Sequence, residues 1–170
     1  MSADDRELKA ITKEGVAAAL LKAHRYRVLN DSAAAESICL DVLAVEPANV
    51  EAIVMHVLAI TDQFDVGHAE DLRRAEEALG GLTDPYKHAY YRGIICERWA
   101  KSIVTRDVPR GDAMAWEWIE RAFDSYAAAE KLRAPGNDEA VLRWNACVRL
   151  LAGHPNVRAP AAEVWEPALE

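Results

Sequence analysis

The chain has 170 residues, of which 51% are hydrophobic and 28% are charged, and its formal net charge is −8 at pH 7. A hydrophobic fraction of this size predicts a folded chain with a core and argues against a disordered one. The negative charge argues against a general nucleic-acid binder and against a protein that binds anionic membranes, since both need a basic surface.

The cysteines Cys39, Cys96 and Cys147 lie far apart and form no C-x-x-C pair. We therefore predict buried thiols in a reducing compartment, and neither a disulfide framework nor a zinc site. Acidic residues near the start replace the apolar core of a signal peptide, and the apolar run 16–21 is too short to cross a bilayer. These features predict a cytoplasmic protein with no membrane partner.

Seven helices and no strand are predicted from the spacing of apolar residues and from the residues that begin and end each run. In chain order the predicted helices cover about residues 4–29, 33–45, 50–61, 66–79, 85–104, 113–132 and 138–152. The predicted N-cap residues are Asp31 or Ser32, Asn49, Asp65, Asp84 and Asp112. Gly93 in the middle of the fifth helix predicts a close approach by a neighbouring group or by a ligand backbone.

The stretch Glu46-Pro47-Ala48-Asn49 separates two apolar-periodic runs with almost no loop between them. Because Pro47 cannot continue a helix and Asn49 can cap the next one, this stretch predicts a tight helix–helix corner. A similar stretch, 134–137, precedes the last predicted helix. Short corners of this kind indicate paired helices that stack on their neighbours.

The helix spacing and the positions of small residues resemble the tetratricopeptide repeat (TPR), a helix–turn–helix unit of about 34 residues. In the first unit the matching residues are Ala23, Tyr26, Ala35, Cys39 and Pro47, and the later match comprises Ala122, Tyr126, Ala129 and Pro135. The resemblance implies an all-α, right-handed α-solenoid of about seven helices, built from three TPR-like helical hairpins and a terminal helix. Its predicted bounds are 1–153, followed by an extended tail with prolines at 154–170.

The resemblance also implies a concave groove, lined by the first helix of each pair, that binds an extended peptide or a partner helix. With the units placed in phase by Pro47, the predicted peptide-binding residues are Leu20, His24, Arg27, Val54, Leu58, Arg92, Cys96, Trp99 and Arg149. We expect a non-enzymatic protein–protein interaction module, or adaptor, whose arginines contact acidic or carbonyl groups of an unidentified partner. A dedicated chaperone of the small acidic TPR type is the alternative.

An all-α enzyme or small-molecule binder is the third hypothesis, and a cluster of Glu97, Arg98 and His88 facing a closed pocket would support it. No phosphate-binding loop, nucleophile elbow or metal-ligand spacing is recognisable, so we expect no cofactor and no metal. The acid–histidine run from Asp62 to Asp71 is interpreted as helix-end chemistry.

The tail, with Val164, Trp165 and Leu169, is expected to pack on the last helix or in a groove. If the tail packed in the groove of a second copy, the protein would form a homo-oligomer.

Overall fold

We describe the fold from a computed structural model, over residues 7–65, 69–106 and 108–159. Over these residues the protein is all-α and contains no strand. A short 3-10 helix, Lys13–Gly15, precedes the α-helices. The α-helices are α1 (Val16–Val28), α2 (Ser32–Val45), α3 (Val50–Thr61), α4 (Ala69–Leu79), α5 (Pro85–Arg106), α6 (Gly111–Leu132) and α7 (Glu139–Gly153).

Side-chain caps fix the starts of α2, α3 and α5, as the sequence predicts. Asp31, Asn49 and Asp84 each accept a hydrogen bond from the backbone N–H three residues later, at 3.1, 2.9 and 2.8 Å. Each bond satisfies a donor that has no partner within the helix. The corner at Pro47 is confirmed, because α2 ends at Val45 and α3 begins at Val50.

Two predicted helix starts are wrong. The predicted first helix includes residues 7–12, which are not helical, and α1 begins at Val16. Leu8 is 96% exposed and has no core to pack against among the described residues. The sixth helix begins at Gly111, so Asp112 lies in its first turn and Arg110 occupies the N-cap position with left-handed backbone.

The start of α4 is described only from Ala69. Residues 66–68 lie outside the described part of the chain, so the cap predicted at Asp65 stays a prediction. The same holds for His68 of the acid–histidine run.

Each helix packs against the next one along the chain, and α1 also contacts α3, while α3 contacts α5. Small residues allow the close approach of α1 and α2, since Ala23 and Ala35 are both fully buried. They share a cluster with Cys39 of α2 and with Met55 and Ala59 of α3. The largest cluster draws on all helices from α3 to α7.

The chain returns to this main core after α7. Val157 is 4% exposed and packs in the largest cluster, so the first residues of the predicted tail are anchored there. The apolar tail residues Val164, Trp165 and Leu169 lie beyond residue 159 and outside the described part of the chain.

All three cysteines are buried and unpaired, which confirms the predicted buried thiols. Burial raises the pKa of Cys39 and of Cys96 to about 11, and that of Cys147 to about 12. Among the helices described here, none has the length and hydropathy needed to cross a bilayer.

Candidate functional site

A polar pocket of about 530 Å³ opens where the C-terminal ends of α1 and α3 meet the start of α2 and the second half of α5. We call it the α1–α3–α5 pocket. Its charged lining residues are Arg27, Asp62, Asp65, Arg98 and Lys101. Three cations therefore surround two carboxylates in a chain whose net charge is −8.

Asp62 bridges two arginines on the wall of this pocket. Arg27 of α1 donates from Nε to one carboxylate oxygen at 2.7 Å, and Arg98 of α5 donates to the other. Arg98 also donates to the Thr61 hydroxyl at 2.7 Å and to the Leu58 carbonyl at 3.4 Å. The bridge links α1, α3 and α5 through groups that water still reaches, because all three charged side chains are partly exposed.

Glu97 is a further carboxylate beside the pocket, and unlike Asp62 and Asp65 it is fully buried. It accepts hydrogen bonds from the Tyr126 hydroxyl at 2.7 Å and from Lys101 Nζ at 2.5 Å, and Arg143 Nη2 lies 2.8 Å away. A buried charge is tolerated when it is paired with an opposite charge and hydrogen-bonded, and Glu97 has two cationic partners and a hydroxyl donor. Lys101 lines the pocket as well, so it connects the buried cluster with the pocket wall.

Tyrosines fill the space between the first half of α5 and helices α6 and α7. The Tyr90 ring contacts the rings of Tyr86, Tyr91 and Tyr126, with centroids 5.1 to 6.1 Å apart. Burial and the adjacent Glu97 carboxylate raise the pKa of Tyr126, so its hydroxyl stays protonated and remains a donor.

Gly93 makes room for the Tyr126 ring. A Cβ added at this glycine would lie 2.4 Å from a ring carbon. The close approach predicted at Gly93 is therefore confirmed, and the neighbour is the protein's own α6.

On α1 and α3, the predicted groove residues lie along helix faces that lead to the α1–α3–α5 pocket. Arg27 lines the pocket, whereas His24 is exposed one turn earlier on α1. Val54 and Leu58 are half-buried against the main core and precede Asp62 at four-residue spacing. Leu20 is only 5% exposed, so it belongs to the protein's core and offers a partner very little surface.

The predicted groove residues on α5 lie elsewhere. Successive residues of an α-helix are about 100° apart, which places Arg92 and Cys96 about 120–180° around α5 from Arg98 and Lys101, and Trp99 about 100° from Arg98. Cys96 and Trp99 are 3% and 7% exposed, in the core. Arg92 lines a second pocket, so Arg27 and Arg92 belong to the linings of two separate pockets, and a single peptide-binding groove through both stays a prediction.

On α7, the predicted Arg149 is exposed and forms no ion pair with any residue described here. The α7 cation that joins the charged network is Arg143. The spacing of Glu97 and Lys101 in the sequence indicates an ion pair along one helix. Nothing in the sequence indicates that Tyr126 or Arg143 would meet them, because these contacts depend on how α5, α6 and α7 pack.

The cluster that would support an enzyme does not form as hypothesised. Glu97 and Arg98 are adjacent, but His88 lies about half a turn around α5 from Glu97 and lines the second pocket. No group of three or more His, Cys, Asp or Glu side chains suited to a metal ion occurs in the described ranges.

No protein-family model, curated protein or solved structure matches this chain. The functional interpretation therefore depends on the geometry of the α1–α3–α5 pocket. That geometry combines cations from two helices, two unburied carboxylates and a polar wall.

Proposed function

We propose that this chain is a non-enzymatic protein–protein interaction module, and that its α1–α3–α5 pocket binds an acidic segment of a partner protein. One observation carries the proposal. The cationic ends of Arg27, Arg98 and Lys101 meet in a single pocket, although the chain as a whole is strongly acidic. With Asp62 and Asp65 counted against the three cations, the lining carries a net charge of 3 − 2 = +1, while the chain carries −8. A net positive lining attracts a carboxylate and orients it.

The two arginines keep donors for a partner. A guanidinium has five N–H groups, and Asp62 accepts from Arg27 only at Nε and from Arg98 only at Nη1. Arg27 Nη1 also donates to Met55 Sδ at 3.7 Å, and Arg98 Nη1 also donates to Thr61 and Leu58. Nη2 of Arg27, and Nε and Nη2 of Arg98, can donate to a carboxylate or a backbone carbonyl of the bound segment. Asp62 holds both guanidiniums in place, which lowers the entropy lost when the partner binds.

The chemistry of the pocket favours a peptide side chain over a drug-like molecule. Pockets for small molecules are mostly apolar, whereas charged and hydroxyl side chains dominate this one. The half-buried Val54 and Leu58 continue from Asp62 along α3 and supply apolar surface for the flanking residues of the same segment.

We further propose that the helices form a right-handed TPR-like solenoid. The contacts of α1 with α3 and of α3 with α5 support it, since the first helices of successive hairpins lie side by side in such arrays. A cytoplasmic location is part of the proposal and is supported by three buried, unpaired cysteines.

Selection from a random peptide library tests the binding site. We expect the enriched peptides to carry Asp or Glu, and Arg27→Ala to weaken their binding by about tenfold, the effect of one lost charge-assisted hydrogen bond. Arg25→Ala is the matched control, because Arg25 is an exposed arginine of the same helix outside the pocket. Equal binding to both variants, or peptides without acidic residues, would overturn the proposal.

A further inference from the structure

A second pocket of about 290 Å³ lies between α5 and α6, on the side of α5 opposite the α1–α3–α5 pocket. We call it the α5–α6 pocket. Its polar lining consists of His88 and Arg92 from α5 and of Arg121, Asp124 and Ser125 from α6. The other lining residues are alanines, whose small side chains leave the space between the helices open.

Within the described part of the chain, the two arginines of this pocket have no carboxylate partner. Neither Arg92 nor Arg121 forms an ion pair with any described residue, although Asp124 lines the same pocket. The Arg121 guanidinium lies 4.4 Å from the centre of the Trp118 ring, which positions the guanidinium and leaves its charge in place. By contrast, Arg27 and Arg98 of the first pocket share Asp62.

The positive charges of Arg92 and Arg121 both lie near Cys96 of α5. Burial raises the pKa of the Cys96 thiol; Arg92 and Arg121 oppose this rise, and Glu76 adds to it. Both arginines therefore lie close enough to act on one buried sulfur. Their positive charges repel each other, and the lining of the pocket contains one carboxylate, Asp124, so a bound anion reduces this repulsion.

We propose that the α5–α6 pocket binds an oxyanion group, a carboxylate or a phosphate, between Arg92 and Arg121. A planar guanidinium matches the spacing of two oxygens in either group and binds them through paired N–H donors. The imidazole of His88 lies in the same lining and supplies a further ring nitrogen. This site uses none of the residues proposed for the acidic partner segment, so each proposal stands or falls separately.

Titration of the full-length chain, followed by amide NMR shifts, tests this site. The probes are inorganic phosphate and acetate, each added at constant pH and constant ionic strength against chloride. We expect saturable shifts at residues 88–92 and 121–125 with at least one probe. Phosphate alone would assign a phosphate site, acetate alone a carboxylate site, and both a general oxyanion site.

Two variants and one control complete the experiment. Arg92→Gln and Arg121→Gln should each weaken binding by about tenfold or more, because each removes charge-assisted donors. Arg149→Gln changes an exposed arginine that also lacks an ion pair among the described residues, and it should bind like the wild type. The absence of saturable shifts, or unchanged affinity in Arg92→Gln and Arg121→Gln, would overturn the proposal.

Discussion

Asp62 and Glu97 are both carboxylates between two cations, but they differ in their access to water. The Asp62 side chain is 22% exposed on the wall of the α1–α3–α5 pocket, whereas Glu97 of α5 is fully buried and its partners on other helices are Tyr126 of α6 and Arg143 of α7. An ion pair that water reaches contributes about 0–1 kcal/mol, while breaking a buried pair costs about 3–5 kcal/mol. We therefore expect Glu97 to contribute more to the stability of the fold than Asp62, whose partly exposed ion pairs lie on the wall of the proposed binding pocket.

Replacing Glu97 should have the largest effect. We expect Glu97→Gln to lower the free energy of unfolding by about 3 kcal/mol, because Lys101 and Arg143 lose their shared anion. The loss should be at the lower end of the range for buried pairs, since both cations are partly exposed. Urea unfolding monitored by tryptophan fluorescence measures this difference. Asp62→Asn is the matched control and should cost at most about 1 kcal/mol; equal losses would refute the comparison.

Gly93→Ala should have the next largest effect, because the new methyl group would lie 2.4 Å from the Tyr126 ring. Overpacking of this kind costs about 2 kcal/mol and would also move the Tyr126 hydroxyl away from Glu97. The unfolding midpoint in urea reports the loss. Gly153→Ala is the control, since nothing lies within 4 Å of a Cβ there. A stable Gly93→Ala protein would show that the ring has room to move.

Tyr126→Phe removes only the hydroxyl that donates to Glu97. We expect a loss of about 1.5 kcal/mol, the value of a hydrogen bond to a charged group. Measured together with Glu97→Gln in a double-mutant cycle, the two changes should cost less than their separate effects combined. Strict additivity would mean that the hydroxyl and the carboxylate do not interact in solution.

The three thiols provide a smaller effect that depends on pH. Their pKa values of about 11 to 12 in the folded chain exceed the ordinary value of about 8.5 expected after unfolding. The folded state therefore keeps its thiol protons longer, so stability is complete below about pH 8.5 and declines as pH rises towards 11. Thiolate absorbance at pH 10 should be low in the folded protein and high in urea. Equal absorbance in both would contradict the burial of the thiols.

The sequence predicts the local parts of the fold well. Asp31, Asn49 and Asp84 cap their helices through bonds to residues only three positions away, so no distant part of the chain is needed. Apolar spacing alone does not suffice to predict a helix at Leu8. The spacing there is helical, but no core among the described residues receives this side chain.

The sequence does not predict which side of α5 faces α3. Both sides of this helix carry arginine and apolar residues, and only packing against α4 and α6 places Cys96 and Trp99 in the core. The opposite side then turns Arg98 towards Asp62. The i,i+4 pair of Glu97 and Lys101 is visible in the sequence, whereas the contribution of Arg143 from α7 is not.

The most direct measurement is the affinity of an enriched acidic peptide for two variants, one in each of the two pockets that lie on opposite sides of α5. By isothermal titration calorimetry, Arg27→Ala should bind about tenfold more weakly than the wild type, while Arg92→Ala should bind equally well. The reverse order would place the partner on the α5–α6 side and would contradict the assignment of the α1–α3–α5 pocket as the binding site.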